Sequence, residues 1–219
     1  MLFLRRPLFA VIASSFVACS GLQQLPYSVA VSNSAVESRP LIGSGSWMSS
    51  DAVGHKLLYI SNWQTSDVSV FTYPGRRLVG TLTGFQQPYG ECVDNSGNVF
   101  ITNFNASNIY EFHHGKLKPK AIIDDPGEHP AGCSVDPTTG DLAVNNSYTV
   151  GNEAGSISLF ERNSRGGWSA VANYTDSNFF YMYFCGFDSS GDLYVDGMTG
   201  YNGSFALAVL PHASSAFTN

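Results

Sequence analysis

Four polar pairs at matching places are the residues best suited to chemistry: Ser61-Asn62, Thr102-Asn103, Asn145-Asn146 and Asp196-Gly197. Each closes a short apolar run, as in Leu58-Tyr-Ile or Val99-Phe-Ile. Hard cations such as Ca²⁺ take their oxygen ligands from Asn, Asp and backbone carbonyls. Glu91, three residues before Asp94, adds a carboxylate. Brought to one mouth, Asn62, Asn103, Asn145, Asp196 and Glu91 would line a ligand site, with Glu91, Asn103, Asn145 and Asp196 the candidate metal donors. The same residue types also cap turns at little cost, so their presence at strand ends has an ordinary structural meaning as well.

Other chemistries lack their patterns. The chain has no Gly-x-Ser-x-Gly elbow and no Cys-x-x-Cys or His-spaced zinc motif. Its Gly-rich stretches lack the Lys and helix of a phosphate loop. No residue is nominated as catalytic. His113 and His114 read as loop residues, and the run from Asp124 to Pro130 (Asp-Asp-Pro-Gly-Glu-His-Pro) reads as an acidic loop that could grip a cation. A formal charge of −6 argues against a nucleic-acid surface, which needs clustered Lys and Arg. Only 13% of the 219 residues are charged, against about 25% usually. With 43% hydrophobic residues, the chain has ample material for a packed core.

The elements that must position these residues repeat. Asp51, Asp94, Asp136 and Asp188 each open a turn that ends in Gly, at spacings of 43, 42 and 52. An apolar strand follows each Gly and a second alternating strand follows that, for example Val68-Ser-Val-Phe71 and Ile109-Tyr-Glu-Phe112. A strand such as Gly90-Glu-Cys-Val-Asp94 precedes the Asp. Recurrence in every unit makes the four Asp structural turn residues, because a catalytic acid need occur only once. Four-stranded meanders cannot bury both faces alone, and stacking them around an axis solves the problem. The expected fold is all-β: a β-propeller of about four four-stranded blades.

Pro88-Tyr-Gly90-x-x-Val93-Asp94-x-x-Gly97-Asn-Val-Phe-Ile101, then Asn108-Ile109-x-x-Phe112, resembles the NHL repeat, and Pro130-Ala-Gly132-Cys-Ser-Val-Asp136 restarts it. The resemblance covers about residues 47–210 and extends to TolB-like and gluconolactonase/regucalcin-like six-bladed propellers. It implies a binding module of the bacterial envelope. A second implication is a gluconolactonase-like hydrolase, in which a Ca²⁺-type ion would activate water. Six blades need roughly 250 residues, whereas Trp47 to Asn219 is 173. Either Tyr27–Val31 supplies a missing outer strand and closes a four-bladed ring, or the chain is an incomplete arc of a six-bladed ancestor. A non-functional remnant of a longer propeller is a third possibility, marked by aggregation.

Residues 1–19 read as a signal peptide: Arg5 and Arg6, an apolar run from Leu8 to Ala18, then Cys19 at a lipobox-like end. Cys19 is thus a candidate lipidation site, giving an exported chain held at the envelope by its anchor or secreted. Residues 20–46 read as a tether, and 47–219 as the propeller domain. The expected partner is an unidentified protein or small ligand at the propeller mouth or at an exposed edge. Among the remaining cysteines, Cys133 and Cys185 hold equivalent places on innermost strands, whereas Cys92 is out of phase. Cys133–Cys185 is therefore the best-matched pair, although small buried core residues are the simpler expectation. Glu91 shares that phase and is expected to face the channel. The aromatic run from Asn178 to Phe184 is expected to pack between blades, or to become an association surface if a ring is incomplete.

Overall fold

The computed structural model describes residues 45–151, 154–201 and 203–218. The expectations for the signal segment, Cys19 and Tyr27–Val31 lie outside them. The described residues form antiparallel strands in four sheets. The first holds β1 (Trp47–Met48), β2 (Lys56–Asn62), β3 (Asp67–Tyr73) and β4 (Leu78–Leu82). β5 (Pro88–Val93), β6 (Val99–Asn103), β7 (Asn108–Phe112) and β8 (Pro119–Asp124) make the second. β9 (Glu128–Val135), β10 (Leu142–Thr149), β11 (Ser156–Arg162) and β12 (Trp168–Tyr174) make the third. β13 (Tyr181–Phe187), β14 (Leu193–Met198) and β15 (Phe205–Leu210) make the fourth, beside which Thr218 bridges to Val209.

Three of the repeated Asp residues build their turns in one way. Asp94 Oδ1 accepts the backbone N–H of Ser96 at 2.9 Å and of Asn98 at 2.8 Å. Asp136 Oδ1 accepts from Thr138 at 2.7 Å, and Asp188 Oδ1 from Ser190 at 2.7 Å and Asp192 at 3.0 Å. Gly97 supplies the positive φ, 80°, that ends the first of these turns. Asp51 departs from the pattern. Its carboxylate is held by Ser49 and by Arg77 at 2.6 Å, and Ala52–Gly54 forms a single 3-10 turn. The cause is topological: β1, the strand before Asp51, pairs with β4 at the outer edge. The turn at Asp51 therefore joins an outer strand to β2 instead of closing a hairpin, and β2 is innermost in its sheet.

Apolar side chains gather in three clusters, one between each consecutive pair of sheets. Val68, Val70, Val79 and Leu82 of the first sheet meet Val99, Ile101 and Phe112 of the second. Phe100, Ile109 and Ile123 of the second meet Cys133, Leu142, Val144 and Phe160 of the third. Ala143 and Ile157 of the third meet Met182, Leu193, Val195, Ala208 and Leu210 of the fourth. Adjacent residues of β6 thus serve opposite interfaces, and every residue of β6 is buried. β2 in the first sheet alternates exposed and half-buried instead. No cluster of described residues joins the fourth sheet to the first. The architecture is a β-propeller of four sheets in which, among the described residues, one face of the first sheet and one of the fourth are not covered by another sheet.

Close succession of inner strands explains the Pro-x-Gly of the repeat. A Cβ on Gly90 would lie 2.5 Å from the carbonyl oxygen of Ala131 and 2.9 Å from the Cα of Gly132 on the next inner strand. Only glycine allows that approach.

Candidate functional site

The five polar candidates are each engaged by separate bonds. Asn62 Oδ1 accepts the backbone N–H of Gln64 at 3.0 Å and of Thr65 at 3.2 Å, capping the β2–β3 turn. Asn103 Oδ1 accepts from the backbone of Gln86 at 2.5 Å, while its amide donates to Asn108 at 3.0 Å. Asp196 Oδ1 accepts the backbone N–H of Phe184 at 3.0 Å. Asn145 is wholly buried and donates to the Met182 carbonyl at 3.5 Å. Its Oδ1 has no hydrogen-bond partner and lies 2.5 Å from where a Cβ on Gly132 would be.

Glu91 accepts a hydrogen bond from Ser61 of β2, which ties the inner strands of the first and second sheets. Burial raises its carboxyl above the ordinary value, partly offset by Ser61. Two of the four candidate donors, Asn103 and Asp196, thus already spend oxygens on backbone N–H groups. Among the described residues no group of three or more His, Cys, Asp or Glu could hold a metal.

The cysteines correct the pairing expected from phase. Cys92 on β5 is bonded to Cys133 on β9, with Cα atoms 5.6 Å apart, and Cys185 is a free thiol. Residues in phase on successive inner strands point the same way around the arc. Cys133 points back to the second sheet and Cys185 back to the third, so the two cannot meet. Cys92, out of phase, points forward into the cluster that contains Cys133. Burial pushes the Cys185 thiol up to about 12, which leaves it without a reactive thiolate at neutral pH.

A row of rings crosses the sheets at the end that carries the polar pairs. Trp63 meets Phe104 at 5.0 Å, Phe104 meets His129 at 4.8 Å, and His129 meets Tyr148 at 4.2 Å between centroids. Tyr148 reaches Tyr181 at 6.1 Å, and Tyr181 reaches Tyr201 at 6.3 Å. These tilted and edge-on contacts tie one sheet to the next. From the aromatic run, Phe179 and Met182 enter the core between the third and fourth sheets, whereas Phe184 turns outward.

Two carboxylate networks are buried; the sequence singled out only the Asp124–Pro130 run of the second, as an acidic loop that could grip a cation, and held no sign of the first. Glu111, with no exposed surface, accepts from Lys120 at 2.8 Å, from the Trp168 indole at 2.9 Å and from Arg162. It joins the second and third sheets. Asp125 and Glu128 sit at the start of the third sheet, each 7% exposed, among Asn146, Thr149, Ser156, Ser158 and Asn173. Burial, with the charge of Glu128 adding to it, pushes the Asp125 carboxyl up to about 6 against its Ser158 and Asn146 bonds. The available signal was Ser156 and Ser158 alternating with Ile157 and Leu159, a polar face on a strand whose neighbours lie on both sides.

The outermost surfaces of the arc are apolar. On the fourth sheet Phe184, Asp196 and Leu207 lie in one cross-strand row, with Tyr194 and Phe205 on the same face. Phe205 is 80% exposed, Leu207 62% and Phe184 59%. On the first sheet Leu58 and Ile60, opposite Phe71 and Ser69, form the free face.

No family model matches the chain, and no curated protein matches it. Solved structures do. Hydrazine synthase from Kuenenia stuttgartiensis superposes with a TM-score of 0.62 at 17% identity, over 78% of this chain and 46% of that one. A protein from Lactobacillus plantarum superposes with a TM-score of 0.59 at 14% identity, over 74% of this chain and 52% of that one. The chain spans about half the length of these structures. At such identities the likeness concerns architecture alone, and with the four radial sheets it places the chain among the β-propeller folds.

Proposed function

We propose that the chain is an exported β-propeller module of the cell envelope that binds protein through its two end faces and catalyses nothing. The observation that carries this reading is the uncovered apolar face of the fourth sheet, with Phe184, Phe205 and Leu207 in solvent. Contiguous apolar surface of this kind marks an interaction site. Among the described residues every sheet face other than the two end faces is covered by a neighbouring sheet. The fitting occupant is therefore another such sheet, and we take it to be the first sheet of a second copy. Two copies joined fourth sheet to first would close on themselves with two identical junctions.

Light scattering during size-exclusion chromatography tests this. The wild-type chain is expected to run as a dimer, and Leu207→Asp as a monomer with an unchanged circular dichroism spectrum. A monomeric wild type contradicts the reading, and heterogeneous aggregates would favour a non-functional remnant. The Cys92–Cys133 disulfide supports export, since such bonds persist in oxidising compartments. We assign the anchor to a lipid on Cys19; Cys19→Ser is expected to leave the membrane fraction, and its retention there would refute the anchor.

A further inference from the structure

We propose that Asp125, Glu128 and Asn146 form a site for a hard divalent cation of the Ca²⁺ class where β8 passes into β9. Both carboxylates are 7% exposed, and among the described residues no Lys, Arg or His lies within ion-pair distance of either. Burying two like charges without a counter-charge is expensive. Their neighbours are neutral. Ser158 donates to Asp125 at 2.9 Å and Thr149 to Glu128 at 2.9 Å, while Asn173 donates to Glu128 at 3.1 Å.

An independent observation points to a ligand. Asn146 is wholly buried and its Oδ1 has no hydrogen-bond partner. The Nδ2 of the same amide lies 3.0 Å from Ser158 Oγ, 3.1 Å from Ser156 Oγ and 3.2 Å from Asp125 Oδ2. That amide is thus enclosed by the cluster, and an orphaned carbonyl oxygen there costs free energy. A cation held by the two carboxylates would cancel both charges, and a half-turn of the Asn146 amide would bring its unpartnered Oδ1 to the side that Nδ2 now occupies, facing Asp125. Carboxylate, amide and hydroxyl oxygens are the donors Ca²⁺ takes, six to eight at about 2.3–2.6 Å. The site uses none of Glu91, Asn103 and Asp196, and it does not depend on the end faces.

The test uses the full chain, stripped with a chelator and then titrated with CaCl₂ or MgCl₂ in calorimetry and thermal melts. Saturating Ca²⁺ is expected to raise the melting temperature by about 5 °C or more. In the double variant Asp125→Asn, Glu128→Gln that shift is expected to vanish. An unchanged wild-type melt with no binding heat overturns the proposal, as does a double variant that still responds. Should the variant fail to fold, terbium luminescence on the wild type decides. Saturable emission displaced by Ca²⁺ supports the site, and non-saturable emission overturns it.

Discussion

Glu111→Ala is expected to lower the unfolding free energy by about 3–5 kcal/mol, the usual cost of breaking a buried ion pair from one side. Glu111 accepts from two cations and an indole, and it is the anion that holds Lys120 of the second sheet against Arg162 and Trp168 of the third. Arg162 also lies 4.2 Å from the centre of the Trp168 ring, so loss of Glu111 loosens that stack too. Lys120 and Arg162 keep about a third of their side chains in water, which places the loss toward the lower end of the range. Glu111→Gln, which keeps the shape and an acceptor for Trp168, is expected to lose less. Urea unfolding of the three proteins checks the order.

The same carboxylate has a pH signature. Burial alone would raise its pKa, but bonds from Arg162, Lys120 and Trp168 outweigh it and hold the group below 4.5. A depressed folded value means the stabilisation is complete above the unfolded pKa and is lost as pH falls through the folded one. Acid unfolding of the wild type should therefore contain a component below about pH 4.5 that Glu111→Gln lacks.

Removal of the Cys92–Cys133 bond is the second large effect. It closes a loop with a sequence separation of 41 and ties the inner strands of the second and third sheets. Chain-entropy reasoning gives about 2–4 kcal/mol for such a crosslink, or a melting temperature lower by about 5–15 °C. Cys92→Ala, Cys133→Ala should show this drop, and reductant should produce it in the wild type alone. Without reductant, Cys185 should be alkylated slowly in the folded protein and fast after unfolding, since the half-buried thiol is held up to about 12. Alkylation of Cys92 or Cys133 in unreduced, unfolded protein would disprove the pairing.

The radial meanders were legible because Asp94, Asp136 and Asp188 each repeat one local device, an Asp oxygen bonded to backbone N–H groups just ahead. Local repetition is what a sequence displays best. Asp51 looked alike, yet the strand before it docks at the outer edge, and that placement depends on β4 over thirty residues away. The cysteine pairing was hidden for a geometric reason: phase on successive inner strands gives direction around the arc, so partners must be out of phase. β2 and β6 read as the same apolar strand, Leu-Tyr-Ile-Ser-Asn and Val-Phe-Ile-Thr-Asn. Only the number of neighbouring sheets leaves Ile60 half exposed and Ile101 buried. Glu111 was missed, and the Asp124–Pro130 run was read as an ordinary acidic loop that could grip a cation, because burial of a carboxylate is a tertiary property that no spacing announces.

Sedimentation velocity of Ile60→Asp, of Leu207→Asp and of their mixture tests most directly whether the fourth sheet of one copy meets the first sheet of another. Each variant alone should sediment as a monomer. The mixture should regain a dimer, because the intact fourth sheet of one variant can seat on the intact first sheet of the other. If Ile60→Asp alone stays dimeric, or the mixture stays monomeric, the two end faces are not each other's partners.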